Sequence, residues 1–372
     1  MTLNTPSISA GEALEVLRAG WAAQAAGRMR VAYMLHGRPG VGKTEIVRQL
    51  ADEIGARLFD LRLTTIEPQD LRGLPYFDHE ARRTIWYRPE DLPDDAARPS
   101  ILFLDELTAA APALQPAVYG LLQERRVGPH RLPDAAFVIA AGNTAEDGAI
   151  AYEMGTALSD RLVHLHVEAS ATDWLENYAI RQGLHPTIIA FIKTRPDLLE
   201  TTPQALQSGD VIAATPRSWE RVSQILETNP SRRLRNVLVA GTLGEAVAGE
   251  FALLADEIAA SIHIEDLLAA EPGKRWALYP ATLHGLNAVV FGLIGALEKS
   301  SVGPSVEVME GIRHLGAHRS EEAFSRMPLA ELCTYGFELL IRKALDDGLG
   351  EQVLATAAYQ AYAKDREAAG LG

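Results

Sequence analysis

The densest chemistry in the chain lies in Gly37-Arg38-Pro39-Gly40-Val41-Gly42-Lys43-Thr44. The spacing is G-x-x-x-x-G-K-[ST], in which glycines let the backbone curl so tightly that several N–H groups face one phosphate. Gly37, Pro39, Gly40, Val41 and Gly42 would line that cradle, and a helix starting near Lys43 would turn its positive end to the same anion. Lys43 brings a full charge to the β- and γ-phosphates of a nucleotide, and the Thr44 hydroxyl is a suitable Mg²⁺ ligand.

A second element supplies acids. Ser100-Ile101-Leu102-Phe103-Leu104-Asp105-Glu106 reads as an apolar strand that delivers Asp105 to the carboxyl edge of a sheet, where open α/β sheets bind ligands. Asp105 can hold Mg²⁺ through water. Glu106 points elsewhere and can polarise an attacking water, general-base help worth typically about 10²- to 10⁴-fold. A third strand, residues 138–142, ends in Asn143, which either orients the same water or closes a Gly-Asn turn.

Elements that could position these groups alternate through the first half. Strand-like runs fall at residues 31–35, 59–65, 101–104, 137–141 and 162–167, with a helix predicted over residues 43–58 from the spacing of Ile46, Val47, Leu50 and Ile54. Such alternation predicts a parallel sheet of five strands covered by helices on both faces. After residue 167 only helical patterns follow, over residues 173–194, 218–227, 235–258, 281–298, 306–315, 329–347 and 352–363. One insertion, residues 75–89, reads as a hairpin carrying Tyr76, Phe77, Trp86 and Tyr87. Its aromatics either pack on one another or face a pore or partner, with Trp86 as the candidate anchor.

Composition sets outer limits. At 372 residues the chain is long enough for two or three domains, and 47% hydrophobic with 23% charged residues is a folded composition. The net charge of −14 argues against a general nucleic-acid binder, which needs a basic surface to displace counterions. Cys333 is the sole cysteine, so no internal disulfide can form, and its apolar neighbours predict a buried position on a helix. The first residues lack the basic and apolar regions of a signal peptide. The longest apolar stretch, residues 281–297, falls short of the ~20 residues of a spanning helix and contains His284 and Asn287. A cytoplasmic protein without membrane partners is expected. His164 with His166, and His314 with His318, share element faces as two-ligand metal candidates, but neither pair has an evident third ligand.

Taken in order, these motifs resemble AAA+ ATPases and, more narrowly, the MoxR family of the helix-2-insert group. The narrower likeness rests on Gln69-Asp70-Leu71-Arg72-Gly73, the hairpin after it, Asp105-Glu106-Leu107, Leu121-Leu122-Gln123-Glu124-Arg125-Arg126-Val127 and Ala157-Leu158-Ser159-Asp160-Arg161. It continues through Thr215-Pro216-Arg217 and Gly244-Glu245-Ala246-Val247-Ala248-Gly249-Glu250-Phe251, covering about residues 12–256. The resemblance implies an α/β fold: an AAA+ αβα P-loop nucleotide domain over residues 1–170, an all-α lid over 171–256 and a C-terminal helical extension over 257–372. It makes Asn143 sensor 1, Arg161 the arginine finger and Arg217 sensor 2, with Arg125 and Arg126 as rivals for the finger. Two departures stand out: Thr144 follows Asn143 where relatives often have Pro, and Leu162 follows Arg161 where Phe is usual. The family further implies ATP and Mg²⁺ as cofactors, a homo-hexameric ring, and a remodelling ATPase that works with a von Willebrand factor A (VWA) domain protein on a client complex or its metal centre. A nucleic-acid motor and a non-hydrolysing nucleotide-gated scaffold are the alternatives.

Overall fold

In chain order the strands are β1 (Ser7–Ile8), β2 (Ala32–His36), β3 (Arg57–Arg62), β4 (Pro75–Asp78), β5 (Arg83–Trp86), β6 (Ser100–Asp105), β7 (Arg126–Val127), β8 (His130–Arg131), β9 (Ala136–Gly142) and β10 (Leu162–Val167). The computed structural model describes residues 4–143, 159–261, 264–319 and 322–368. Six strands form one parallel sheet in the order β1-β10-β2-β9-β6-β3, and β4-β5 and β7-β8 are antiparallel hairpins. This is the αβα P-loop fold of AAA+ proteins, followed by a helical region.

Alternation along the strands divides two cores. Ile101 and Phe103 of β6 pack with Tyr33, Leu35, Ile139 and helices α1 (Ala10–Ala25) and α2 (Lys43–Glu53), through Leu14, Leu17, Ile46, Val47 and Leu50. Leu102 and Leu104 face the other way, against Met34, Val138, Leu114, Val118 and Leu121. Every residue of β2, β6 and β9 is buried, as strands covered on both faces must be. Helix α1 starts where Ser9 and Glu12 cap reciprocally, the Glu12 N–H donating to Ser9 Oγ at 3.2 Å and the Ser9 N–H to Glu12 Oε2 at 2.7 Å.

Four sequence expectations need correction. The sheet has a sixth strand, β1, whose two residues are too few to show a period. Helix α2 stops at Glu53 instead of residue 58, because residues 57 and 58 are already paired to Ser100 and Ile101 in β3. The helix expected over 173–194 is broken before Pro186–Thr194, where Pro186 occupies the first turn. The helix expected over 235–258 is two, Arg232–Leu243 and Glu245–Ser261, separated at Gly244 with φ +87°.

The chain divides into two compact units. The first comprises Met1–Ser170 with Thr202–Asp210 and Thr215–Arg217; the second comprises Ala171–Thr201, Val211–Ala214 and Ser218–Gly372. In the second unit, Phe191, Trp219 and Phe251 form a triangle with ring centroids 5.3 to 5.5 Å apart. Helix Leu283–Gly295 is buried at every position from 285 to 294, so the longest apolar stretch is core. Among the described residues no helix is long and apolar enough to cross a membrane. Cys333 is fully buried on helix Leu329–Asp346, its S–H donating to the Met309 carbonyl at 3.3 Å.

Candidate functional site

The loop between β2 and α2 lies at the carboxyl edge of the sheet, with β9 and then β6 as the neighbouring strands. Gly40 takes φ +86°, and a Cβ on it would sit 2.8 Å from Thr215 Oγ1, so only glycine fits this curl. A Cβ on Gly37 would come within 2.4 Å of the Val167 carbonyl oxygen at the end of β10. The loop is therefore a backbone cradle that side chains would fill, and the eleven-residue α2 starts directly from it at Lys43.

Lys43 is buried and bridges two strand ends. Its ammonium donates to the carbonyls of Gly37 (2.6 Å) and Arg38 (3.0 Å) and to Asn143 Oδ1 at 2.9 Å. Next to it the Thr44 hydroxyl donates to Asp105 Oδ2 at 3.3 Å. The sequence separates these pairs by 100 and 61 residues; the strand order β2-β9-β6 brings them together.

Asp105 ends β6 at 8% exposure, and its Oδ1 accepts the Glu106 N–H at 2.8 Å. That bond accompanies a left-handed backbone at Glu106, φ +58° and ψ +33°, a rare conformation for a non-glycine residue and one that marks many functional sites. The turn aims Glu106 away from Asp105. Its carboxylate accepts a hydrogen bond from the Thr64 hydroxyl and lies 3.7 Å from Arg62 Nε. Residues 62 and 64 carry no motif. Arg62 is in register with Asp105 across the β3–β6 pair, so the signal is a long-range pairing that local sequence does not reveal.

The acids act on one another. Burial, then the negative charge of Asp105, pushes the Asp60 carboxyl above the usual carboxylate range, while Arg48, 3.6 Å away, and Arg62 pull it back. The Asp105 carboxylate beside the Thr44 hydroxyl offers the oxygen ligands that a hard divalent cation takes. Thr44 and Asp105 would hold Mg²⁺, and the cradle with Lys43 would hold the phosphates of ATP.

The arginines divide. Arg217 is exposed in the first turn of helix Pro216–Glu227, and its backbone N–H, one of the donors a helix start leaves without an intrahelical acceptor, donates to the Gly40 carbonyl at 3.4 Å. The Thr215–Arg217 segment thus lies on the phosphate loop. Arg161 is exposed in the turn just before β10. Arg125 instead turns inward, donating to the carbonyls of Pro133 (2.9 Å) and Ala136 (2.5 Å), with its pKa lowered first by burial. Arg126 is exposed and paired to Glu124 at 2.6 Å. Ala157, Leu158 and Thr144, used in the sequence reading, lie outside the described residues.

The histidine pairs form other contacts. His164 bonds to His36 and to the Ser159 carbonyl, His166 lies 3.8 Å from Glu168, His314 bonds to Glu310 at 2.7 Å, and His318 stacks on Trp276 at 3.9 Å. Among the described residues no group of three or more His, Cys, Asp or Glu is arranged to hold a metal. In the β4–β5 hairpin Tyr76, Phe77 and Tyr87 are exposed, whereas Trp86 is half-buried with the Arg72 guanidinium 4.2 Å from its ring centroid. Tyr76 and Tyr87 also meet each other, with centroids 5.7 Å apart.

The fold is the AAA+ P-loop fold, and the loop of residues 37–44 lies at the carboxyl edge of its sheet. Residues 32–162 match the family model described as AAA domain, dynein-related subfamily. The chain is also similar to ATPase family gene 2 protein homolog B, 40% identical over 116 residues in Mus musculus and 37% over 115 in Bos taurus. Each match takes in 31% of this chain but only 13% and 12% of those relatives' own length. Solved structures similar to the chain include an ATPase from Cytophaga hutchinsonii described as putative, 15% identical, covering 91% of this chain and 90% of that one with a TM-score of 0.33. A RuvB variant from Thermotoga maritima is 14% identical over 72% of this chain and 80% of that one, with a TM-score of 0.36.

Proposed function

We propose that the chain binds MgATP at the loop of residues 37–44 and hydrolyses it to ADP and phosphate. One observation carries this reading: Lys43, Thr44, Asp105 and Asn143 are joined in two hydrogen-bonded pairs at one sheet edge, 2.9 and 3.3 Å long, with Glu106 turned out beside them. The loop N–H groups, the positive end of α2 and Lys43 neutralise the β- and γ-phosphates. Mg²⁺, held by Thr44 and by Asp105 through water, adds charge neutralisation when bound. Glu106 takes a proton from the water that attacks the γ-phosphorus, the bond from that phosphorus to the bridging oxygen breaks, and ADP leaves. Asn143 orients the water. Arg217, on the segment against Gly40, senses the γ-phosphate, and Arg161 reaches the site of a neighbouring copy.

The wider role follows from the MoxR resemblance: a homo-hexameric remodelling ATPase whose ring acts with a VWA-domain protein on a protein client. Its domains would be residues 1–170, 171–256 and 257–372. The inward turn of Arg125 takes it out of reach of a neighbouring copy and speaks against it as the finger. The test is Mg²⁺-dependent phosphate release by the purified chain. Wild type should turn over ATP, and Lys43→Ala should lose both binding and turnover. Equal turnover by Lys43→Ala would refute the site.

A further inference from the structure

The mechanism leaves unused one polar pair, a buried histidine and a half-buried one. His36, 5% exposed, is the last residue of β2 and directly precedes Gly37. Its Nε2 lies 2.8 Å from His164 Nδ1 on the adjacent strand β10. The two rings are 21° from parallel with centroids 5.1 Å apart, so the imidazoles meet edge to edge through one shared proton. His164 Nε2 lies 3.0 Å from the Ser159 carbonyl oxygen, two residues before Arg161.

The direction of the second bond is fixed. A carbonyl only accepts, so His164 carries its proton on Nε2. One proton joins His164 Nδ1 to His36 Nε2. On the other side of His36, the Gly37 carbonyl accepts from Lys43 Nζ at 2.6 Å. An unbroken line of covalent and hydrogen bonds thus runs from Lys43 through Gly37, His36, His164 and Ser159 to the turn that carries Arg161. The line spans the sheet. His36 is level with His166 at the carboxyl edge, whereas Leu162, next to Arg161, is level with Ala32 at the other end of β2.

We infer that His36 and His164 are positioning residues that fix the Arg161 turn from the start of the phosphate loop, so that the loop of one copy sets the arginine it offers to the next. The inference rests on the reading of Arg161 as a finger acting across a subunit boundary. Neither histidine touches phosphate or water in the reaction; both act through where they hold Ser159. An exposed arginine on an undetermined turn spends little time in its productive pose, and small misplacements of a catalytic group cost up to on the order of 10²-fold.

Two properties separate this role from ordinary support of the fold. The defect should fall on turnover with nucleotide affinity intact, and it should be curable by a neighbour. His164→Phe keeps the ring shape and loses both hydrogen bonds. It should bind ATP within about twofold of wild type yet turn over at least about tenfold more slowly. His36→Gln places a side-chain amide, able to donate or accept, near the lost Nε2 and should retain most turnover, whereas His36→Phe should behave like His164→Phe. The deciding experiment mixes His164→Phe with Glu106→Gln subunits. Each lacks what the other supplies, so sites pairing the base of the first with the arginine of the second are complete, and turnover should rise well above that of either variant alone. An Arg161→Ala with Glu106→Gln mixture runs alongside. Recovery in both supports the link. Recovery only in the Arg161→Ala mixture overturns it and leaves the finger reading standing. Recovery in neither overturns the finger reading, and the link with it. Wild-type turnover by His164→Phe alone also overturns the link.

Discussion

Gly40 shows how narrowly single residues constrain this site. A Cβ there meets Thr215 Oγ1 at 2.8 Å on a backbone with φ +86°, so Gly40→Ala must either strain the loop or push away the segment that carries Arg217. Strain of this kind costs about 1–3 kcal/mol, and nucleotide affinity should fall by roughly tenfold or more. Titration with a fluorescent ATP analogue measures it, and an affinity within twofold of wild type would show that the cradle is not built as described. Most of the site is legible in the sequence at this scale, since the residues from Gly37 to Thr44 and the Asp105-Glu106 pair sit in motifs whose spacing is the chemistry. Thr64, Arg62, His36 and His164 are not. They meet the site through pairings of β3 with β6 and β2 with β10, and one sequence gives no register for strands so far apart.

Among the elements, the β4–β5 hairpin is where pattern and structure part. Four aromatics in a short insert read either as packed on one another or as facing a pore or partner with Trp86 as the anchor, but strand alternation divides them and Arg72 covers Trp86. The element itself was visible; which ring faces inward was not, because the cation over Trp86 comes from the preceding helix, Pro68–Arg72. Trp86→Ala should destabilise the first unit by about 1–3 kcal/mol, through lost burial and a lost cation–π contact. Phe77, 60% exposed, should tolerate Ser with its melting temperature unchanged. Calorimetry decides between the two rings, and a drop for Phe77→Ser with none for Trp86→Ala would reverse the assignment. The sheet is legible for a related reason: β6 and β9 are near-continuous apolar runs bounded by turns, and β3 alternates. The edge strand β1 and the β7–β8 hairpin, each with two-residue strands, are too short for any period to show.

For the whole molecule, the proposed chemistry requires more than one copy, because Arg161 is exposed on the turn before β10 while the chain's own site is built at the other end of the sheet. Light scattering of the Glu106→Gln variant should therefore report a larger mass with MgATP than without nucleotide, and a monomeric mass with saturating MgATP would count against a shared site. The helical second unit was legible as helices from their spacing, but its breaks at Pro186 and Gly244 were only partly so, since the flanking apolar patterns run on through them. The central claim is that this chain hydrolyses ATP with Glu106 as the base, and single-turnover phosphate release by Glu106→Gln tests it most directly. The variant should bind MgATP as wild type does and release phosphate at least about 10²-fold more slowly. Release at the wild-type rate would contradict the account.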